Sequence, residues 1–304
     1  MVLLHSFDIT HRPTSLLNRK LLKDPAYLAA SDHRELTELI VTIDPPSTDD
    51  MEDALSIEVL GHDSYEIGVH IVDATSYAHL INRQQIVERG TSTYLPHQTI
   101  HMMPPELVAH LSFTQHKRRL AFSVFMKVDS QGTISAVRFE KSIIRNNAQL
   151  TYEEAQTVLD GEGDSSHLLA AKGIRPEYFT DIKEKLQLLK SIALTRRRLR
   201  NHSDLFDRNE VVFELDSDNL PVNIGVKKRL ETEKMVEELM IMTNGQVAQR
   251  LVSDLGVDAL LIHQPRPLQG SLSELNHYIS DLGVKFKYQD IQRLPQEFEQ
   301  FFQE

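Results

Sequence analysis

Hydrophobic and polar positions divide the chain into a strand-rich half followed by a helix-rich half. Ile40-Val-Thr-Ile-Asp44 is short and β-branched, and Pro45-Pro46 follows it at once, so it predicts a strand running into a turn. Ala54-Leu-Ser-Ile-Glu-Val-Leu60 and Tyr65-Glu-Ile-Gly-Val-His-Ile-Val72 are two more strands, and Gly61-His-Asp-Ser64 between them predicts a hairpin. Leu120 to Val128 and Ile134 to Phe139 form a second pair, joined at Asp129-Ser-Gln-Gly132. The pattern then changes to helical. Tyr152–Leu159 has Thr151 as N-cap and Glu154 three residues on, the spacing of a capping box. Longer helices are predicted from about Pro176 to Arg200 and from about Glu231 to Leu255, the latter stopping before Gly256. Residues 1–39, with Leu16, Leu17, Leu21 and Leu22 on one side, predict a helical N-terminal extension. Strands first and helices after give an α+β fold: a largely antiparallel central sheet with helices packed around it.

Composition narrows the function classes only a little. The chain has 304 residues, 40% hydrophobic and 25% charged, as a soluble globular protein does. It has no cysteine, which excludes disulfides and thiolate metal sites. No basic and apolar leader opens the sequence, and no run approaches the ~20 apolar residues of a membrane span, so a cytoplasmic protein is expected. The net charge of −11 opposes nucleic-acid binding when taken as a sum. Binding responds to local patches, however, and basic residues cluster at His116-Lys-Arg-Arg119, Arg196-Arg-Arg-Leu-Arg200 and Lys227-Lys-Arg229. Each run reads either as a solvated helix end or turn, or as a phosphate contact.

The most informative segment is Thr42 to Ser56, which places Asp44, Asp49, Asp50, Glu52 and Asp53 within ten residues. Like charges this close repel one another, and bound hard cations such as Mg²⁺ or Mn²⁺ reverse that cost. The alternative is an acidic surface turn. A calcium loop of the EF-hand kind lacks its glycine here, and no histidine stands in the segment to suggest zinc.

The pattern Asp44-x5-Asp50-x-Glu52-Asp53-Ala-Leu-Ser resembles the active-site signature of the ribonuclease II and ribonuclease R family, whose catalytic unit is the RNB domain. Four further blocks resemble that family in the same order. They are Gly68 to Thr75, Arg89-Gly-Thr-Ser-Thr-Tyr-Leu-Pro96, Met102 to Leu107, and Val236 to Asn244, the last on the helix that carries the family's buried glutamate. The resemblance implies a metal-dependent 3′-to-5′ exoribonuclease that hydrolyses single-stranded RNA processively to nucleoside monophosphates. It implies Asp44, Asp50, Glu52 and Asp53 as catalytic residues, with Asp44, Asp50 and Asp53 holding Mg²⁺ or Mn²⁺. Tyr94, Tyr152 and Phe206 match positions that stack or place the 3′-terminal bases, and Glu237 matches a contact to ribose hydroxyls. Tyr94 and Phe206 read as loop residues, whereas Tyr152 opens a helix and fits core packing equally well.

Two departures qualify what the resemblance implies. Glu52 stands where the family has aspartate, and its added methylene shifts the carboxylate by about 1.5 Å. The family's Thr-Ser-Pro-Ile-Arg segment, whose arginine approaches the phosphate, has no counterpart after Leu261-Ile-His-Gln-Pro-Arg-Pro267, and Arg266 does not match it. Residues 40–304 therefore read as the N-terminal and middle part of an RNB-type domain. A second chain or a further C-terminal half would supply the arginine segment and the RNA-binding barrels. A catalytically weak or inactive RNA-binding protein on the same fold is the competing expectation.

Overall fold

The computed structural model describes residues 15, 32–46, 48–95, 98–161, 165–200, 210–217, 221–263 and 268–281. The main sheet contains β1 (Arg34–Glu35), β2 (Ile40–Asp44), β3 (Asp53–Gly61), β4 (Ser64–Val72), β7 (Arg118–Val128) and β8 (Ile134–Thr151), in the order β1-β8-β2-β3-β4-β7. Two short ribbons lie apart from it: β5 (Thr93–Leu95) with β6 (Gln98–Ile100), and β9 (Glu210–Leu215) with β10 (Pro221–Lys227). The helices are α1 (Arg83–Arg89), α2 (Pro105–Leu111), α3 (Tyr152–Asp160), α4 (Ser165–Ala171), α5 (Phe179–Leu199), α6 (Glu231–Leu255) and α7 (Gln269–Asp281). The α+β reading holds, as do the hairpins β3–β4 and β7–β8 and the capping box at Thr151.

The sheet is not open. β8 runs for 18 residues, twelve beyond the predicted strand end at Phe139. Its first part pairs antiparallel with β7, and its last part pairs parallel with β2, from Ile40↔Asn146 to Asp44↔Thr151. The ladder β2–β3–β4–β7–β8 thereby returns to β2 and closes on itself. One extra residue, Asn147, lies between the pairs Ile40↔Asn146 and Val41↔Ala148. Such a bulge bends a strand and raises its twist. Asn147 Oδ1 accepts from the Ile40 amide and Asn146 Oδ1 from the Ala148 amide, so the backbone freed by the bulge is satisfied.

Strand alternation gives the closed sheet two different faces. Outward residues such as Val41, Leu55, Ile67, Val69 and Met126 are large and pack against α3, α5 and α6 in the main core. Inward positions include small and polar residues, Ala54 and Ser56 on β3, Gly68 and His70 on β4, Ala121 and Ser123 on β7, beside a smaller apolar cluster with Ile40, Phe125 and Ile144. A chain of hydrogen bonds crosses the interior, from Ser56 Oγ through His70 to Ser123 Oγ and Ser142 Oγ, at 3.0, 2.7 and 2.8 Å. A methyl group at Gly68 would lie 2.3 Å from Ser56 Oγ. Glycine is therefore what lets β3 and β4 enclose this network.

The described part of the N-terminal extension corrects the helical expectation. Residues 32–39 are not helical: Arg34 and Glu35 pair with β8, Leu36 enters the interior cluster with Ile40 and Phe113, and Leu39 enters the main core. The i, i+3 spacing of these leucines serves two cores on opposite sides of the chain. The earlier residues of the extension, Leu16 to Leu22 among them, lie outside the described set. No helix among the described residues is long and apolar enough to cross a membrane.

Candidate active site

The acidic segment links the end of β2 to the start of β3. The antiparallel pairing Val41↔Leu55 puts Asp44 and Asp53 on one rim of the closed sheet. Closure brings a third element there, because Asp44 pairs with Thr151, the residue that caps α3. The loop between the two strands is pinned at Met51. The Met51 amide donates to Ser112 Oγ at 3.1 Å, and its carbonyl accepts from the Phe113 amide at 2.9 Å. Its side chain fills the interior beside Ala54, Phe113, Phe125 and Ile144. Burying a methionine in this way stabilises by about 1.5–3 kcal/mol. With Met51 turned inward, Asp50 and Glu52 on either side stay at the rim.

The rim is electrostatically unfavourable as a set of bare carboxylates. Burial, then the charges of Asp53 and Asp50, push the Asp44 carboxyl up to about 7 despite a hydrogen bond from Thr42. Burial and Glu52 push Asp53 up to about 6. Burial and Asp50 raise Glu52, which His101 partly offsets. Asp44 Oδ2 is fully buried and has no hydrogen-bond partner among the described residues. Buried acceptors are nearly always partnered, so this oxygen and the mutual repulsion fit a divalent cation bound among Asp44, Asp50 and Asp53. These three do not form a mutually close trio of ligand atoms. Among the described residues that arrangement belongs to Asp49, Asp50 and His101, whose ligand atoms all lie within 4.8 Å of one another.

His101 was not singled out from the sequence. It lies about fifty residues beyond the acids, and the β5–β6 ribbon brings it back over them. Its Nε2 is 3.4 Å from Asp49 Oδ1 and its Nδ1 is 3.5 Å from Asp50 Oδ2. The same ribbon carries Tyr94, which sits in strand β5 rather than in the loop expected from its neighbours. The Tyr94 side chain is 66% exposed, and its hydroxyl donates to Asp50 Oδ2 at 3.5 Å. An exposed ring held at the rim by its own hydroxyl presents a flat apolar face beside the acids.

Tyr152 meets the core-packing expectation and lies close enough to the acids to feel their charge. The ring packs against the main core, and burial together with Asp53 and Asp44 raises its hydroxyl well above the usual range. Glu237 lies further off on α6, where it accepts from Arg197 Nη1 at 2.8 Å and Arg229 Nη1 at 3.3 Å. The fully buried acid on that helix is its neighbour Glu238, held by Arg200 at 2.8 Å. The basic runs thus divide. Arg197, Arg200, Lys227 and Arg229 bind Glu237, Glu238, Glu153 and Glu233 and tie α5, β10 and α6 together, while Arg118 binds Glu35. Asp73 is buried and caps the turn at Ala74–Leu80, accepting from Thr75 and Ser76 and lying 3.0 Å from His33 Nε2. Phe206 lies outside the described residues.

Comparisons with known proteins agree with this geometry. The family model described as RNB domain matches residues 32–304. DIS3-like exonuclease 2 of Schizosaccharomyces pombe is 32% identical over 256 residues, which is 82% of this chain and 27% of that protein. The chain thus spans about a quarter of that relative's length. Among solved structures, Mycoplasma genitalium RNase R, in complex with ribose-methylated single-stranded RNA, superposes with a TM-score of 0.77 at 19% identity, covering 93% of this chain and 44% of that one. Yeast Ssd1, described as a pseudonuclease, has a TM-score of 0.69 at 19% identity over 94% of this chain and 33% of its own. With the closed sheet, the acids on its rim and a family match over most of its length, the chain belongs to the RNB domain family.

Proposed function

We propose that this chain carries the acid site of a metal-dependent 3′-to-5′ exoribonuclease that degrades single-stranded RNA processively to nucleoside monophosphates. The observation that carries the reading is the rim where Asp44, Asp50, Glu52 and Asp53 meet, with a buried Asp44 oxygen left unpartnered. Asp44, Asp50 and Asp53 would hold divalent metal, Mg²⁺ or Mn²⁺. When bound, that metal neutralises charge on the phosphoryl group and lowers the pKa of a coordinated water. Glu52 is exposed at the mouth of the cluster, where its carboxylate can accept a hydrogen bond from the attacking water. Tyr94 offers a ring on which a terminal base stacks, worth about 1–3 kcal/mol per base and indifferent to sequence. Tyr152 supports the floor beside Asp44 and Asp53. Phe206 would add a second stacking ring. Glu237, bound to Arg197 and Arg229, would present its free edge to ribose hydroxyls.

The test is degradation of a 5′-labelled single-stranded RNA by the purified chain with Mg²⁺ or Mn²⁺, with EDTA as control. A metal-dependent ladder shortening from the 3′ end, abolished by Asp53→Asn, is expected. A folded protein that leaves the RNA intact under all conditions would overturn the reading. A second reading is favoured by Glu52: a weak or inactive RNA-binding protein on this fold, on which a pseudonuclease also occurs. The two separate in Glu52→Asp. Returning the shorter acid should raise the cleavage rate by on the order of 10²-fold if a misplaced carboxylate limits the reaction. An unchanged rate argues for the second reading.

A further inference from the structure

We infer that His101 supplies a ring nitrogen to a divalent cation held with Asp49 and Asp50, so that this site prefers a first-row transition ion to Mg²⁺. The inference rests on the proposed metal dependence and concerns which ion is taken. Three observations carry it. First, Asp49, Asp50 and His101 are the described residues whose ligand atoms converge within 4.8 Å. Second, the three are close without being bonded in the ordinary way. The nitrogen–oxygen distances of 3.4 and 3.5 Å exceed the roughly 2.7–2.9 Å of a charge-assisted hydrogen bond, and they leave space between the groups. Third, the site is built on its inner side. The Asp50 side chain is 9% exposed and that of His101 is 11% exposed, whereas Asp49, at 74%, lies on the solvent side of the trio. The charge of Asp50 also reaches Asp44, whose buried Oδ2 has no hydrogen-bond partner among the described residues.

The donor set decides the class of ion. Mg²⁺ demands oxygen ligands in near-ideal octahedral geometry and keeps much of its water. An imidazole nitrogen beside carboxylates suits transition ions, whose affinities for such mixed sites rise along the series from Mn²⁺ toward Cu²⁺. The competing role for His101 is an imidazolium brace between Asp49 and Asp50. The two roles predict opposite effects of removing the ring. A ligand leaves a weaker site, whereas a brace leaves a more negative and therefore tighter one.

Mn²⁺ is the probe, because it is the weakest binder of the series and is read directly by electron paramagnetic resonance. The full chain without RNA is titrated with Mn²⁺, and the bound ion is examined by pulsed measurements for modulation from a directly coordinated ¹⁴N. Nitrogen modulation is expected in the wild type and absent in His101→Ala. Mn²⁺ affinity in that variant should fall by about 10–100-fold, the scale on which even supporting groups act on metal sites, with Mg²⁺ affinity within twofold of wild type. Bound Mn²⁺ without nitrogen modulation in the wild type overturns the inference, whether or not the variant folds. So does tighter Mn²⁺ binding in His101→Ala. If either result accompanies Mg²⁺-dependent cleavage of RNA that Asp53→Asn abolishes, the proposed function stands and only the role of His101 falls. Failure of the folded wild type to bind Mn²⁺ at all overturns both.

Discussion

Asp44 shows how one residue can be unfavourable for the fold and suited to a site. Its carboxyl is held near 7 by burial and by Asp53 and Asp50, so at high pH the metal-free protein carries a buried charge with one unpartnered oxygen. Asp44→Asn removes the charge and keeps the shape. It should stabilise the metal-free protein at pH 8, by up to about 4 kcal/mol for a carboxyl raised from 3.8 to about 7. The gain should disappear near pH 4, where the wild-type group is protonated in the folded state. The variant should also lose the stabilisation that added divalent metal gives the wild type. A thermal melt with and without metal reads all three. Lower stability of the metal-free variant at pH 8 would mean that Asp44 is satisfied by a contact other than metal.

Among the elements, β4 is the least tolerant. It alternates Ile67, Val69 and Ile71 toward the helices with Gly68, His70 and Val72 toward the interior, and it pairs on both edges. Gly68→Ala would drive its methyl into Ser56 Oγ and to within 2.9 Å of His70 Nε2. Overpacking of this kind costs about 1–3 kcal/mol, and a broken link between Ser56 and His70 adds to that. Urea denaturation should show the loss as a lower midpoint. Wild-type stability in this variant would mean that β3 and β4 can part without cost. β8 is the other defining element. Its length and the bulge at Asn147 were hidden in the sequence because Asn146-Asn147 carries a turn signal inside what is one continuous strand.

The molecule as a whole should change the sign of its pH response when metal binds. The interior holds His70 neutral, its pKa depressed by burial to about 3 against an ordinary 6.5. The unfolded chain takes up that proton as pH falls from about 6.5, so this group alone removes stability on acidification, by about 1.4 kcal/mol per pH unit. Asp44 and Asp53 act in the opposite sense. Raised to about 7 and about 6, they bind protons in the folded state before the unfolded chain does, so without metal they add stability as pH falls toward 4. Glu52, raised as well, acts with them, and His110, lowered by burial and Arg119, acts with His70; the two large carboxylate shifts dominate, and the metal-free protein should become more stable between pH 7 and pH 5. With metal holding both carboxylates ionised, the lowered histidines His70 and His110 dominate, and stability should fall over the same range. His70→Gln should flatten the metal-bound profile. Parallel profiles with and without metal would rule out the carboxylates as the ligands.

The sequence by itself determined the α+β class, the two hairpins, the capped helix at Thr151 and the acids, because strand alternation, turn residues and caps are local signals. It also carried the family through five ordered blocks, which the match over residues 32–304 bears out. It did not determine that the sheet closes, since pairing of β2 with a strand about a hundred residues later leaves no local mark. Closure is what puts Asp44 beside Tyr152, and the β5–β6 ribbon is what sets Tyr94 and His101 over Asp50. The buried acid of α6 was likewise settled by packing: Glu237 and Glu238 are adjacent and both bind arginine, but only Glu238 is on the side of the helix that is enclosed. Local chemistry names residues able to act, whereas long-range backbone pairing decides which of them meet.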